Sequence, residues 1–180
     1  MPKKLKELLL ETCKIFDELK IPYALIGGYS AIYYGSPYIT RDIDFVVVPE
    51  RVDFELVRTL KKSGFYTTED YKTLDELRAF GQFVHSETGI VLHIFPEVSG
   101  FSPGENIEIN LVEINGNRIN ICSPEDYLIM RAAVWHEEDK QKAIVIVRAQ
   151  GKNLDIDYLM KRAKEEKVTR RIKWLLKFQK

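Results

Sequence analysis

The 180-residue sequence predicts an α+β fold, in which a mixed β-sheet flanked by helices is followed by a C-terminal helical lobe. Apolar residues at helical spacing open the chain, and short apolar or alternating runs typical of strands follow. The sequence Ser-Pro-Glu-Asp, beginning at Ser123, supplies an N-cap, a proline at the first helical position and acid in the first turn. Everything after it has helical character. We therefore expect one domain over residues 1–122 and a helical lobe over 123–180.

The individual elements follow from hydrophobic period and from turn residues. Helices are assigned where apolar residues recur at the helical period, and strands where apolar runs are short or alternate. Asn115 and Gly116 together are a strong signal for a type I′ hairpin turn. In chain order, the predicted elements are a helix over 3–20, a strand over 21–26, a helix over 29–34, a strand holding Asp42 and Asp44, a helix over 52–62, an edge strand over 65–68, a short helix or loop over 69–78, hairpin strands around Phe83 and Leu92, a loop over 101–104, and strands over 107–113 and 118–121.

Two aspartates, Asp42 and Asp44, lie inside an otherwise apolar strand. Successive strand side chains point to opposite faces, so the two carboxylates share one face about 7 Å apart, while Ile43 and Phe45 fill the other. Adjacent carboxylates repel each other, and a hard divalent ion such as Mg²⁺, which favours carboxylate and phosphate oxygens, relieves that repulsion. The pair therefore predicts a metal and phosphate site. The alternative is that both aspartates stay solvated at an exposed strand end.

A glycine pair, Gly27 and Gly28, separates the strand over 21–26 from the next helix. Glycines at such a junction let backbone amides approach a phosphate closely, and the helix amino terminus adds a favourable dipole. Ser30 could donate its hydroxyl to the same phosphate. The alternative is a plain strand-to-helix turn, but the two aspartates on the next strand favour the phosphate site.

This combination resembles the nucleotidyltransferase superfamily, which includes DNA polymerase beta and the aminoglycoside nucleotidyltransferases. The superfamily pattern of a glycine pair and alternating aspartates is matched by Ile26, Gly27, Gly28, Asp42, Ile43, Asp44 and Phe45. A narrower resemblance, to small prokaryotic AbiEii-like nucleotidyltransferases of toxin-antitoxin systems, is carried by Gly27, Gly28, Ser30, Ala31, Gly35 and Thr40. Those proteins often have an arginine where this sequence has Tyr38, with Arg41 nearby as a substitute.

The resemblance implies that residues 1–122 form a nucleotidyltransferase-fold domain and that the protein moves a nucleoside monophosphate from an NTP to a hydroxyl on RNA, protein or a small molecule. It implies Mg²⁺ or Mn²⁺ held by Asp42 and Asp44, and an antitoxin protein as a partner. The residues it assigns to nucleotide binding are Gly27, Gly28, Ser30, Thr40 and Arg41.

One position departs from the superfamily pattern. The third carboxylate of that pattern falls on His93, after a turn containing Thr88 and Gly89. His93 could be a general base, since a neutral imidazole suits proton abstraction at neutral pH, or it could ligate Mn²⁺ or Zn²⁺. It could also mark a catalytically degenerate module that binds nucleotide, RNA or a partner protein. Glu87 and Glu97 are the alternative carboxylates, and we expect both to be surface charges.

Composition constrains the location and partners of the protein. The 27 basic and 27 acidic residues give no overall attraction to nucleic acid or to an anionic membrane. Cys13 and Cys122, far apart in apolar settings, indicate reduced thiols. The first residues lack a signal sequence and no apolar run could span a bilayer, so we expect a cytoplasmic protein without a membrane partner.

The last helices carry a local excess of lysine and arginine. Such a face could bind RNA phosphates. Aromatic residues that could stack with bases are sparse along this stretch, which offers only Trp174 and Phe178. A solvated basic face is therefore the favoured interpretation, and His136 is interpreted as a helix-boundary residue.

Overall fold

The computed structural model describes residues 3–67, 71, 73–96, 98 and 106–179. Within these residues lie seven β-strands and eight α-helices. The strands are β1 (Tyr23–Ile26), β2 (Asp42–Val47), β3 (Phe65–Thr67), β4 (Gly81–His85), β5 (Val91–Phe95), β6 (Ile109–Ile114) and β7 (Asn117–Cys122). The helices are α1 (Lys3–Glu18), α2 (Gly27–Tyr33), α3 (Phe54–Lys62), α4 (Leu74–Ala79), α5 (Pro124–Val134), α6 (Glu137–Gln150), α7 (Ile156–Glu165) and α8 (Thr169–Leu176).

All seven strands form one mixed sheet, in the order β3-β4-β5-β2-β1-β7-β6. The first strand, β1, runs antiparallel to β2 and parallel to β7, while β2 runs parallel to β5. The predicted mixed sheet and the predicted edge position of β3 are confirmed. The parallel pairing of β2 with β5 joins two strands that are far apart in sequence, and it determines which side chains face each other in the centre of the sheet.

An aromatic cluster fixes one face of the central strands. Phe16 from α1 contacts Tyr23 and Phe45, with ring centroids 5.1 and 5.0 Å away, and all three side chains are at most 1% exposed. Burial of each such aromatic ring contributes roughly 1.5–3 kcal/mol. Because Phe45 points into this cluster, its neighbour Asp44 must point to the opposite face of the sheet.

The helices after β7 pack against the sheet domain through polar as well as apolar contacts. The N-cap Ser123 accepts a hydrogen bond from the backbone N–H of Asp126, as the sequence predicts. Gln150 on α6 donates to the carbonyl of Tyr34 at 2.8 Å, which ties the helices to the end of α2. The helical character predicted after Ser123 is confirmed for the described residues, and the division into two domains stays a prediction.

Three findings refine the predicted elements. Helix α2 begins at Gly27, so the glycine pair forms the first turn of the helix instead of a loop before it. The segment predicted over 69–78 contains α4. The predicted loop over 101–104 and Glu97 lie outside the described residues.

The remaining expectations concern thiols and membranes. Cys13 and Cys122 are both free and buried, and burial raises the pKa of each thiol to about 12. Among the residues described, no helix combines the length and the apolar character that crossing a bilayer requires.

Asp126 on α5 links α7 to the residue before β6 from a fully buried position. Its carboxylate accepts hydrogen bonds from the backbone N–H of Glu108 at 2.6 Å and from the Tyr158 hydroxyl at 3.0 and 3.1 Å. Burial is the main cause that raises the pKa of Asp126 from 3.8 to about 7. A carboxyl whose pKa is higher in the folded state favours folding at low pH, and that contribution is lost as pH rises towards 7.

We therefore expect Asp126→Asn to gain stability relative to wild type as pH rises from 4 to 8, because asparagine cannot ionise. One pKa unit corresponds to about 1.4 kcal/mol, so the relative gain is at most about 4 kcal/mol. Urea unfolding across this pH range measures it. The exposed Asp157→Asn on α7 also removes one carboxylate and is the matched control. A curve for Asp126→Asn that runs parallel to wild type would contradict the assignment.

Candidate active site

The two aspartates of β2 face away from the aromatic cluster. Asp42 is the first residue of the strand, and the alternate residues Ile43 and Phe45 are fully buried on the core face. In the parallel pairing with β5, Asp42 lies opposite Val91 and Asp44 lies opposite His93. The pairing therefore brings His93 directly to the second aspartate, on the same face of the sheet.

His93 and Asp44 form a hydrogen bond in which Nδ1 and Oδ1 are 2.8 Å apart. Both side chains are 19% exposed. The hydrogen bond to Asp44 is the largest influence on the imidazole and raises the pKa of His93, against the lowering effect of burial. Because a carboxylate can only accept, Nδ1 carries the shared proton, and Nε2 is the basic nitrogen of the neutral ring. Asp44 is thus a partner of His93 and not a solvated charge at a strand end.

Two phenylalanines flank the imidazole. The Phe80 ring stacks on His93 with a centroid distance of 5.5 Å and an interplanar angle of 29°. The Phe95 centroid lies 5.9 Å from His93 and 5.2 Å from Phe80. Phe80 and Phe95 are only partly buried, so these rings reach the surface beside the imidazole. Together with Asp44 they restrict the rotation of His93 and fix the direction of Nε2.

Position 27 requires glycine for two reasons, its backbone conformation and the lack of space for a side chain. Its φ is +68°, and a Cβ added there would lie 2.0 Å from Oδ2 and 2.8 Å from Cγ of Asp44. The Asp44 carboxylate therefore occupies the space that a side chain at Gly27 would need. Below this contact, the buried Ser30 donates its hydroxyl hydrogen bond to the carbonyl of Gly27 at 2.9 Å. A contact between Ser30 and a phosphate would require that bond to break.

The second glycine has a similar relation to Thr40. A Cβ added at Gly28 would lie 2.6 Å from Oγ1 of Thr40, and the same hydroxyl oxygen is 3.3 Å from the carbonyl oxygen of Asp42 and 3.4 Å from its nitrogen. Gly28 and Thr40 line a small cavity together with Arg131 and Lys142. The backbone of the glycine turn and two cationic side chains thus meet at this cavity.

Arg131 and Lys142 are residues of the site that sequence reasoning missed. Arg131 on α5 donates to Asp139 at 2.9 Å, and Lys142 on α6 forms an ion pair with Glu138 at 2.6 Å. The helices after β7 therefore bring two cationic side chains, each paired with a carboxylate, next to the glycine turn.

The structure brings together most of the predicted site, with one exception. Gly27, Asp44 and His93 form one continuous contact, which Asp42, Gly28 and Thr40 extend along the start of β2. Arg41 instead lines a neighbouring pocket between the start of α1 and the turn after β4. Glu87, in that turn, lines the same pocket and is exposed.

The side chains that could ligate a metal ion determine which ion these residues can hold. Within the part of the chain that the structure describes, no group of three or more His, Cys, Asp or Glu is placed to hold a metal ion. Asp42 and Asp44 offer two carboxylates, and His93 already engages one oxygen of Asp44. Mg²⁺ is commonly held by one or two carboxylates together with substrate phosphates. The residues therefore fit an ion that arrives with a triphosphate.

Comparison with solved structures identifies the fold. Lincomycin-bound lincosamide antibiotic adenylyltransferase LnuA is 18% identical with a TM-score of 0.58, over 81% of this chain and 96% of that one. ANT(2″)-Ia in complex with adenylyl-2″-tobramycin is 14% identical with a TM-score of 0.63, over 91% and 98%. An antigenic nucleotidyltransferase-like protein from Paracoccidioides brasiliensis is 19% identical with a TM-score of 0.60, over 99% and 94%.

These similarities confirm the predicted fold. No family model and no curated protein matches the sequence. At identities below one fifth, the shared feature is the architecture of the chain, and substrates do not transfer with it. The mixed sheet with its flanking helices is the nucleotidyltransferase fold, as the glycine pair and the alternating aspartates predict.

We expect Gly27→Ala to destabilise the protein more than Gly89→Ala. Both glycines have a φ of +68°, but a Cβ at Gly89 meets nothing within 4 Å. Gly89→Ala therefore reports the conformational strain alone, roughly 1–2 kcal/mol, whereas Gly27→Ala adds overpacking against Asp44, typically 1–3 kcal/mol. Urea unfolding measures both. Equal losses of unfolding free energy in the two variants would show that Asp44 moves aside freely, which would contradict the tight contact.

We expect Asp44→Asn to lower the pKa of His93, because the hydrogen bond to the Asp44 carboxylate is the main cause that raises it. NMR titration of the imidazole signals measures this directly. The signals of the other two histidines of the chain, His85 and His136, serve as internal references. An unchanged His93 titration would show that the two side chains are not coupled in solution.

Proposed function

We propose that this chain, which has the nucleotidyltransferase fold, transfers a nucleoside monophosphate from an NTP to an acceptor hydroxyl. The observation that carries the proposal is the continuous contact of Gly27, Asp44 and His93. It joins the glycine turn at the start of α2, a carboxylate suited to a metal and a basic nitrogen on one face of the sheet. Asp42 on the same face supplies the second carboxylate.

Asp42 and Asp44 would hold the Mg²⁺ or Mn²⁺ that accompanies the triphosphate. When bound, such an ion neutralises the charge that develops on the phosphates during transfer. Asp44 is held ready for this role from two sides, by the backbone of Gly27 and by His93. The carboxylate therefore has little freedom to reorient when the nucleotide arrives.

The glycine turn would hold the phosphates of the nucleotide. Asp44 and Thr40 fill the space that side chains at Gly27 and Gly28 would need, so a phosphate would be held by the backbone N–H groups of the turn. Arg131 and Lys142 line the cavity beside Gly28, and each would exchange its carboxylate partner, Asp139 or Glu138, for a phosphate oxygen. Ser30 supports the turn through the Gly27 carbonyl, and Thr40 supports Asp42. A contact from Arg41 would come from the neighbouring pocket that it shares with Thr40.

His93 would accept the proton of the acceptor hydroxyl at Nε2. The hydroxyl oxygen forms a bond to the α-phosphorus, the bond to the bridging oxygen breaks, and pyrophosphate leaves with that electron pair. Asp44 keeps the other imidazole nitrogen protonated and stabilises the imidazolium that results, the role a carboxylate plays beside a general-base histidine. The stacked Phe80 maintains the ring orientation that this transfer needs.

A catalytically degenerate module that binds nucleotide, RNA or a partner protein is the second candidate. It is favoured by the imidazole at the third carboxylate position, where the hydrogen bond to Asp44 occupies a possible metal ligand. His93→Asp separates the two candidates. The substitution should abolish activity that uses imidazole as a base, whereas it should create activity in a site that lacks only the third carboxylate.

Toxin activity neutralised by an antitoxin protein is the most specific form of the proposal. It is supported by the resemblance of residues 27–40 to the AbiEii-like branch. Ser123 caps α5, and α5 carries Arg131 to the cavity beside Gly28. Helix α5 is thus part of the site that would make such a toxin active.

The first test is the melting temperature with each NTP and Mg²⁺ or Mn²⁺. Ligand at about 100 times its dissociation constant stabilises by roughly 2.7 kcal/mol, which raises the melting temperature by about 5–11 °C for a chain of this size. We expect one NTP to give this shift, and Asp42→Asn to lose it. Asp75→Asn, at a side chain 90% exposed on α4, is the charge-matched control and should keep the shift.

Transfer is then measured as metal-dependent pyrophosphate release from the stabilising NTP, with total RNA, protein extract and small-molecule extract offered separately as acceptors. We expect release with one acceptor class, and a loss of at least 100-fold with Asp44→Asn or His93→Ala. Nucleotide binding without release, together with activity gained in His93→Asp, would establish the degenerate module. Unchanged transfer in Asp42→Asn and Asp44→Asn would refute the proposed function.

A further inference from the structure

Three aromatic side chains meet at the surface of the last helices. Trp135, at the end of α5, contacts Trp174 on α8 with centroids 5.6 Å apart, and Trp174 contacts Phe178 at 4.9 Å. Trp174 is 37% exposed. We call this cluster, with the cations that surround it, the tryptophan surface. Sequence alone indicated only two aromatic residues here, because Trp135 lies 39 positions before Trp174.

Cations surround the aromatic rings. The charged groups of Lys140 and Arg171 each lie 5.6 Å from the centre of the Trp135 ring. Arg170, Lys173 and Lys177 line the groove beside Trp174. Residues 167–180 include six Lys or Arg and no Asp or Glu, namely Lys167, Arg170, Arg171, Lys173, Lys177 and Lys180.

The groove cations are not neutralised within the fold. Among the described residues, none of Arg170, Lys173 and Lys177 forms an ion pair with a carboxylate. Arg170 and Lys173 are exposed. The protein as a whole has a formal net charge of zero, so this concentration of positive charge is local. It produces a positive potential that favours an anionic ligand.

The surface is held in place by the backbone. Trp135 has a φ of +64°, a left-handed conformation that is uncommon for an aromatic residue and that ends α5. Arg171 donates to the carbonyls of Ala132 and Ala133 at 2.6 and 3.0 Å, which fastens α8 to the last turn of α5. The tryptophans are therefore positioned before any ligand binds.

We propose that the tryptophan surface binds single-stranded nucleic acid. Arg170, Lys173, Trp174 and Lys177 follow the i, i+3, i+4, i+7 spacing of one helix face, so cations lie about one turn, 5.4 Å, on either side of an exposed indole. Proteins that bind single strands combine such a cationic groove with aromatic rings on which bases stack. An acidic protein segment would use the charges but would have no need of the exposed aromatic ring.

This surface and the proposed active site share one element of the fold. Arg131 and Lys142, on either side of the junction between α5 and α6, line the cavity beside Gly28. Trp135 and Lys140, from the same junction, line the tryptophan surface. A strand bound here therefore contacts the element that borders the proposed nucleotide site. Binding at this surface does not depend on Asp42 or Asp44, so it can be tested apart from transfer.

Intrinsic fluorescence provides a direct test, because both tryptophans of the chain lie in this surface. We expect titration with 12-nucleotide oligo(U) or oligo(dT) to quench the fluorescence. Contacts to three phosphates predict that log K falls with log salt with a slope of about −2. Tighter binding of oligo(U) would identify RNA as the ligand, and equal binding would identify single strands of either kind. Unquenched fluorescence with both oligonucleotides would refute the proposal.

Paired variants separate charge from stacking. Arg170→Glu with Lys173→Glu should weaken binding at least 10-fold, whereas Lys61→Glu with Lys62→Glu, an equal charge change at exposed positions on α3, should leave it unchanged. Trp174→Ala should weaken binding roughly 5- to 100-fold, and Trp174→Phe should retain most of it. Melting temperatures verify folding. If the double variant does not fold, Lys177→Glu and the wild-type salt slope test the same charge contribution.

Two outcomes would overturn the inference. If Trp174→Ala binds as tightly as wild type while the charge variants fail, the surface recognises polyanions in general, including acidic proteins. If Asp42→Asn abolishes oligonucleotide binding, the strand binds at the proposed active site instead of on α8. The second result would leave the proposed function intact, so the two proposals fail separately.

Discussion

The position of the Asp44 carboxylate is the constraint on which the site depends. It lies against the backbone of Gly27 and accepts a hydrogen bond from His93. Two strand registers produce these contacts, since Ile26 on β1 and His93 on β5 both lie opposite Asp44. A slip of one residue in β2 would turn Asp44 into the core and bring Phe45 to the cleft. The chemistry therefore requires that this register be held firmly.

The aromatic cluster on the opposite face of the sheet stabilises this register of β2. Phe45 is confined between Phe16 and Tyr23, with ring centroids 5.0 and 5.4 Å away, so exchanging it for a carboxylate would bury a charge without a partner. The polar face and the apolar face of β2 thus stabilise one register together. The alternation that identifies β2 in the sequence is also what aligns the catalytic candidates.

Local features were predictable from sequence, and contacts between distant segments were not. Gly27, Gly28, Asp42 and Asp44 lie within a short stretch, where strand alternation and glycine chemistry suffice. The pairing of Asp44 with His93 depends on a parallel strand contact between residues 49 positions apart, which no local period encodes. The cations beside Gly28 and the pairing of Trp135 with Trp174 likewise come from helix packing. Resemblance to a known family identified His93 as a candidate, but only the structure revealed its hydrogen bond to Asp44.

The burial of Cys13 and Cys122 makes the chain convenient for site-specific chemistry. Thiolates, not thiols, react with maleimides and other alkylating probes, and a pKa of about 12 leaves a thiolate fraction on the order of one in 10⁵ at neutral pH. A cysteine introduced at an exposed position would react in preference to both native ones. Fluorophores or cross-linkers can therefore be attached to the folded protein without first removing its own cysteines.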